Sequence, residues 1–319
     1  MTSSSSELVA SGPLTQGEVA LGELHELVRD LAAPQMVVGI PELAELWTYE
    51  VFRFTCARPG DMEDYPELSE RLRGAFGAAL HRQPQPMTAT GRLRPHAVDV
   101  LFRQLPSAAG EDETAKPALV RGWIEGAALI AELRIFGCAI AWRDEAATAM
   151  LDALQEGVAL RGAPRAQRRP VTPSGVVHRR VSCLDIPASA AHGMMRFRSP
   201  VTVRQRGVAH ARPDAVFGAA LRRVDRMARW QGCRLLTPDD WLARHSSGLD
   251  VATRYWREVS WERFTRNQGD TPVPMRGHLG ELTLDGDLGE LAPLLMMAET
   301  CNIGSHAALG MGWFDWIVW

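Results

Sequence analysis

Two rhythms of apolar and polar positions run along the chain, and the places where one gives way to the other mark the elements. From Trp47 to Cys56 the side chains alternate. Phe52, Phe54 and Cys56 fall on one face and Tyr49, Val51, Arg53 and Thr55 on the other, which predicts a strand ended by Pro59-Gly60. Leu68, Leu72, Phe76 and Leu80 then recur at helical spacing and predict a helix over 68–81, with a short helix at 96–104 after a Pro-containing loop. Two apolar stretches, 118–124 and 127–137, are parted by Glu125-Gly126 and predict a hairpin; a helix over 146–158 and a strand region over 171–186 follow. The same order then recurs. Residues 194–206 alternate as a strand, and 214–231 carry the helical stripe Phe217, Ala220, Leu221, Val224 and Ala228. Residues 232–250 read as loop, with strands near 252–265 and 274–284, a helix over 288–300, a Gly-rich loop over 302–312 and a last strand over 313–319. Ahead of both sets lie a Ser-rich, disordered stretch (1–13) and a short amphipathic helix within 16–32.

Each half therefore reads strand, helix, strand, strand, helix, strand, which is the ferredoxin-like order. The fold expected is α+β, with two tandem ferredoxin-like (βαββαβ, RRM-like) domains. Residues 1–35 form an N-terminal tail and short helix, 36–186 the first domain and 187–319 the second, with its arginine-rich strand and helix and its C-terminal Gly-rich loop. At 319 residues, 46% hydrophobic and 23% charged, the chain can bury two good cores. No run of about 18 apolar residues predicts a membrane span, and the start lacks a secretory pattern, so a cytoplasmic protein with reduced thiols is expected. The five cysteines lie far apart with no CxxC pair, and no Walker or Rossmann fingerprint appears. No metal or other cofactor is expected.

The net charge of −3 hides a strong asymmetry. Between Arg161 and Arg234 sixteen arginines face three acids, a balance of +13, while the remainder carries −16. A field concentrated in this way suits a polyanion, because neutralised phosphates release counterions; the alternative is a solvated surface. Patterning sharpens the point. Along the strand 194–206 the side chains alternate, so Arg196, Arg198, Arg204 and Arg206 share a face opposite Phe197, Val201 and Val203. On the next helix Arg222, Arg226 and Arg229 form a stripe with Arg223 beside it, a repulsive arrangement unless an anion lies there. Arg179-Arg180 add a possible arm. Both rows should point outward into one cradle.

Three segments resemble a known family. Residues 65–81, YPELSERLRGAFGAALH, resemble the first helix of RAMP-superfamily proteins. SPVTVRQRG followed by ALRRVDRMARWQG resembles the start of the C-terminal domain of CRISPR repeat-RNA processing endoribonucleases. The ending GHLGELTLDGDLGELAPLLMMAETCNIGSHAALGMGWFDW resembles that family's last strand, helix, Gly-rich loop and strand. The resemblance spans about residues 46–319. It implies two ferredoxin-like domains, recognition of the repeat stem-loop of a CRISPR precursor transcript, and metal-independent cleavage in which a 2′-hydroxyl attacks the adjacent phosphate. It further implies retention of the guide RNA in an effector complex with other CRISPR subunits. Some family members carry cysteines after the first helix; here Arg82 to Pro95 has none.

Such a cleavage needs a base, an acid and cations for the developing charge, and imidazole suits the first two roles. His81 resembles in position the histidine at or near the first helix of several family members, and Arg82 adds a cation. His306 lies in the loop whose Gly304, Gly310 and Gly312 permit close approach to a phosphate, so the glycines join Arg179, Arg180, Arg196, Arg198, Arg204, Arg206, Arg222, Arg223, Arg226 and Arg229 as expected RNA contacts. Two other readings stay open: a catalytically inactive RAMP scaffold that binds the hairpin without cutting it, and a nucleic-acid-binding protein outside CRISPR.

Overall fold

The computed structural model describes residues 24–60, 62, 64, 67–85, 94–105, 114–159, 168–185, 190–205, 208–210, 213–264 and 272–319. The expectations for 1–23 and the position of Arg206 lie outside the described residues. In chain order the elements are α1 (Leu24–Ala32), β1 (Met36–Val38), α2 (Ile40–Leu46), β2 (Tyr49–Ala57), α3 (Leu68–Leu80), α4 (Ala97–Leu101), β3 (Ala118–Glu125), β4 (Ala128–Phe136), α5 (Arg143–Glu156), β5 (Val158–Ala159), β6 (Arg168–Arg169) and β7 (Pro173–Val181). The second half contributes β8 (His192–Phe197), β9 (Val203–Gln205), β10 (Val208–His210), α6 (Pro213–Ala228), β11 (Cys233–Leu235), α7 (Trp241–Ser246), β12 (Asp250–Phe264), β13 (Pro272–Asp285), α8 (Leu291–Cys301) and β14 (Phe314–Val318).

The two four-stranded sheets run β3-β4-β2-β7 and β12-β13-β8-β14, every neighbour antiparallel. Counting strands within each half, both orders are second, third, first, fourth, so the expected tandem ferredoxin-like architecture is what the chain adopts. Local chemistry explains the pieces. Gly126, at φ 59°, turns β3 into β4. The predicted stripe of α3 (Leu68, Leu72, Phe76 and Leu80) is buried against the sheet, and Gly122 makes room for it: a Cβ there would sit 2.2 Å from Leu72 Cδ1. α6 buries Phe217, Ala220, Val224, Met227 and Ala228. α8 is buried nearly all round because it lies between α2, α6 and β14 rather than on a surface.

The halves are locked together. One apolar cluster runs from Leu27 and Trp47 through Phe136 to Leu294 and Phe314. Trp47 Nε1 donates to Thr300 Oγ1 (2.9 Å), Trp230 Nε1 to the Ala115 carbonyl (2.6 Å) and Gln231 Nε2 to the Thr48 carbonyl (2.9 Å). β1, ahead of the first domain's sheet, pairs in parallel with β11 of the second half.

Two expectations need correction. Residues 194–206 are not one strand: β8 stops at Phe197, and β9 pairs with β10 instead. Pro200 has no N–H to give the ladder, and Ser199 Oγ turns the chain by donating to the Gly310 carbonyl (2.8 Å) and accepting from Trp313 N (2.9 Å). Residues 232–250 are not simply loop, since they contain β11 and α7, both too short to leave a periodic signature.

Candidate nucleic-acid interface

A cleft of about 490 Å³ opens between the domains. Its wall from the second domain is α6, with Arg222, Arg223 and Arg226, joined by Arg204 of β9 and by the Gly-rich loop, Gly304 to Leu309, with His306. The first domain supplies Arg73 from α3, Lys116 and Gln104. Among the described residues no carboxylate lines the cleft. Six cations brought together in this way concentrate positive charge in a form that suits an anion.

Two of these cations are seated by their neighbours. Arg73 lies with Cζ 4.1 Å from the Phe102 ring centroid, and that ring occupies space left by Gly77, where a Cβ would approach it to 2.3 Å. Arg223 donates from Nε to the Cys301 carbonyl (3.0 Å); burial pushes its pKa down, and its buried Nη2 has no hydrogen-bond partner. Arg222 is exposed and Arg226 half-buried. The loop glycines have a packing role. At Gly310 (φ 85°) a Cβ would lie 2.2 Å from Ser69 Cβ, and at Gly312 (φ 67°) 1.8 Å from the Ile303 carbonyl oxygen; both are buried, and of the three expected glycine contacts only Gly304 lines the cleft.

The other arginines lie elsewhere, so the single cradle expected from the sequence divides. Arg196 pairs with Glu281 (2.8 Å) and Arg198 with Asp315 (2.6 Å), carboxylates of neighbouring strands. Arg179 and Arg180 are on β7, at the outer edge of the first sheet, where Arg180 approaches the buried Glu50 (3.8 Å), which also holds His178 (2.9 Å). Arg229 sits in the 3₁₀ turn after α6, with its Nε buried, and does not line the cleft.

The two candidate histidines are not brought together. The Gly-rich loop abuts Ser69 in the first turn of α3, whereas His81 caps the far end of that helix, exposed, about 18 Å away at ~1.5 Å per residue. Beside it Arg82 is paired with Glu156. Among the described residues no three His, Cys, Asp or Glu side chains gather as metal ligands. Sequence reading missed Arg73 and Lys116. The available signals were the arginine inside LRGAFG and the fact that Lys116 is the only lysine of the chain.

Comparison with known proteins adds a family match over part of the chain. Residues 195–314 match the sequence pattern described as CRISPR-associated endoribonuclease Cas6. The Cas6 match holds Arg204, Arg222, Arg223, Arg226 and His306; Arg73, Lys116 and His81 lie before it. No curated protein matches the chain. Among solved structures, the Cas6 (TTHB231) product complex aligns at 17% identity and a TM-score of 0.54, over 85% of this chain and 99% of that one, so the Cas6 fold extends over both domains. The Cas6 (TTHA0078) product complex aligns at 15% identity and 0.49 over 85% and 99%, and a Cas6-related protein from Pyrococcus furiosus at 12% and 0.39 over 85% and 98%. No helix among the described residues is long and apolar enough to cross a membrane.

Proposed function

We propose that this chain binds the repeat stem-loop of precursor CRISPR RNA and cuts it, with the interdomain cleft gripping the phosphates around the scissile bond. The observation that carries the reading is the convergence of Arg73, Lys116, Arg204, Arg222, Arg223 and Arg226 on His306, with no carboxylate among the described lining residues and four of the six cations within the Cas6-matching residues. The arginines contact phosphates in forked geometry and offset the extra charge of the phosphorane. The 2′-oxygen attacks the adjacent phosphorus and loses its proton to a base. The bond from phosphorus to the 5′-oxygen breaks, and that oxygen takes up a proton. The products are a 2′,3′-cyclic phosphate and a 5′-hydroxyl, with no metal in the step.

His306 is the better-placed imidazole for one of the two proton transfers, and His81, at the other end of α3, is too remote to share a cleft with it. That separation also favours a second reading, a scaffold that holds the hairpin without cutting it, since the described cleft contains one imidazole rather than a pair. In either case the bound guide RNA would carry the protein into a complex with other CRISPR subunits. Incubation with labelled repeat RNA in EDTA decides between them. Cutting that leaves a cyclic phosphate and falls about 10²–10⁴-fold in His306→Ala supports the nuclease. Tight binding without cutting supports the scaffold, and indifference to the repeat sequence overturns both.

A further inference from the structure

α8 ends at Cys301, and the next residue, Asn302, takes a positive φ of 57° with ψ at 162°, an extended region that favours glycine, although it carries a Cβ. Its side chain is wholly buried, and both its oxygen and its nitrogen are hydrogen-bonded. Oδ1 accepts from Arg121 Nε (3.0 Å) and Nη2 (2.6 Å), while Nδ2 donates to the Ala307 carbonyl (3.5 Å). Arg121 belongs to β3 of the first domain; Ala307 directly follows His306 in the Gly-rich loop. One carboxamide therefore spans from the first domain's sheet to the loop that carries the cleft's imidazole.

Arg121 is itself fixed on several sides. It lies 5.1 Å from the Trp313 ring centroid and 3.8 Å from Glu132, and its Nη2 also donates to the Glu299 carbonyl. Arg134, held by Glu132 at 2.7 Å, donates to the Thr300 carbonyl at 3.0 Å. Two first-domain guanidinium groups thus satisfy carbonyls at the end of α8, the terminus where cations are favoured. Other hydrogen bonds of the loop run to its own domain: Ser305 N to the Thr202 carbonyl (2.8 Å) and Gly312 N to the Pro200 carbonyl (2.9 Å). Those bonds set the loop against Arg204 and α6. The Arg121–Asn302 link sets it against the first domain, which supplies Arg73 and Lys116.

We propose that Asn302 is a positioning residue, which through Arg121 and Ala307 holds the His306 loop in register with the first-domain side of the cleft. The proposal rests on the reading of that cleft as the site of RNA cleavage, and its test separates the two. Asn302→Gly supplies a residue that adopts this positive-φ backbone without strain and removes the carboxamide. Asn302→Asp keeps the acceptor for Arg121 and removes the donor to Ala307. In the full-length protein, three quantities are measured: the His306 ring resonances by ¹H–¹³C NMR without RNA (assigned from the His306→Ala spectrum), the cleavage rate at saturating repeat RNA, and the RNA Kd. Both variants should move the His306 resonances. Asn302→Gly should slow cleavage about 10- to 100-fold at little change in Kd, and Asn302→Asp should slow it less. His306 resonances that superpose on those of the unaltered protein in both variants overturn the proposal. Resonances that move while cleavage is unchanged support the positioning role and overturn the assignment of His306 to the chemistry. Should Asn302→Gly fail to fold, Asn302→Asp carries the readout, because Arg121 keeps its partner.

Discussion

Two sets of arginines within thirty residues of one another end in opposite electrostatic situations. Those on β8 and just after it, Arg196 and Arg198, project from a sheet, where the residues directly opposite on neighbouring strands are about 5 Å away. Arg196 has Glu281 on one side and Asp315 on the other, and the acidic flanks of the chain neutralise the row in place. Arg222, Arg223 and Arg226 project from a helix whose facing elements are a Gly-rich loop, Arg73 and Lys116. There the cleft lining gathers further cations, and no carboxylate stands among its described residues. A run of basic residues is therefore not an interface by itself. The element it rides on decides which side chains stand opposite, and those decide whether charge is left for a ligand.

The comparison can be sharpened with a third arginine, the wholly buried Arg121. Replacing it with Met removes the partner of Asn302 and of α8's last turn, and should cost about 3–5 kcal/mol of stability, read from urea denaturation. A loss under about 1 kcal/mol would place this buried cluster with the surface pairs. Its counter-charge gives a pH signature. Burial alone would raise the carboxyl pKa of Glu132, but Arg134, Arg121 and Arg53 outweigh it and hold it down at about 2. A depressed carboxylate contributes stability that is full above its ordinary pKa, near 4.5, and drains away as pH falls towards 2, in all about 3 kcal/mol. Glu132→Gln should flatten the acid limb of the stability curve; an unchanged limb would assign it to other groups.

Arg222→Ala with Arg226→Ala comes next. Losing two phosphate contacts should lower the slope of log K against log salt by about 2 and weaken repeat-RNA binding about 30-fold at 0.15 M salt. Arg196→Ala with Arg198→Ala should leave the slope unchanged and alter stability by about 0–1 kcal/mol, as half-exposed ion pairs do. Equal slopes for the two double variants would erase the contrast between strand and helix. The smallest effect is expected for His81→Ala, with cleavage of repeat RNA nearly unchanged; its abolition would return the chemistry to the far end of α3.

The fold was legible because it depends on local periodicity. β2 and α3 bury the faces their spacing marks, and the repeated order of elements leads to the same sheet order in both halves. Short pieces such as β1, β11 and α7 left too few residues to set a rhythm, and Pro200 divided a stretch whose alternation ran past it. The second-domain half of the cleft was also readable, as a stripe on α6 and a glycine-rich loop. Arg73 and Lys116 were not: the arginine inside LRGAFG and the chain's only lysine stand out, but nothing near them in the chain indicates that they face His306.

Alternation and helical spacing alone set the two ferredoxin-like units and the concentration of positive charge near the middle of the chain, since both are properties of residues close in sequence. What stands beside those charges was decided only when the sheet brought Glu281 and Asp315 to one row and the docked domains brought Arg73 and Lys116 to the other. Coulomb interactions act through space, and the partners that cancel or reinforce a guanidinium lie a hundred residues away along the chain.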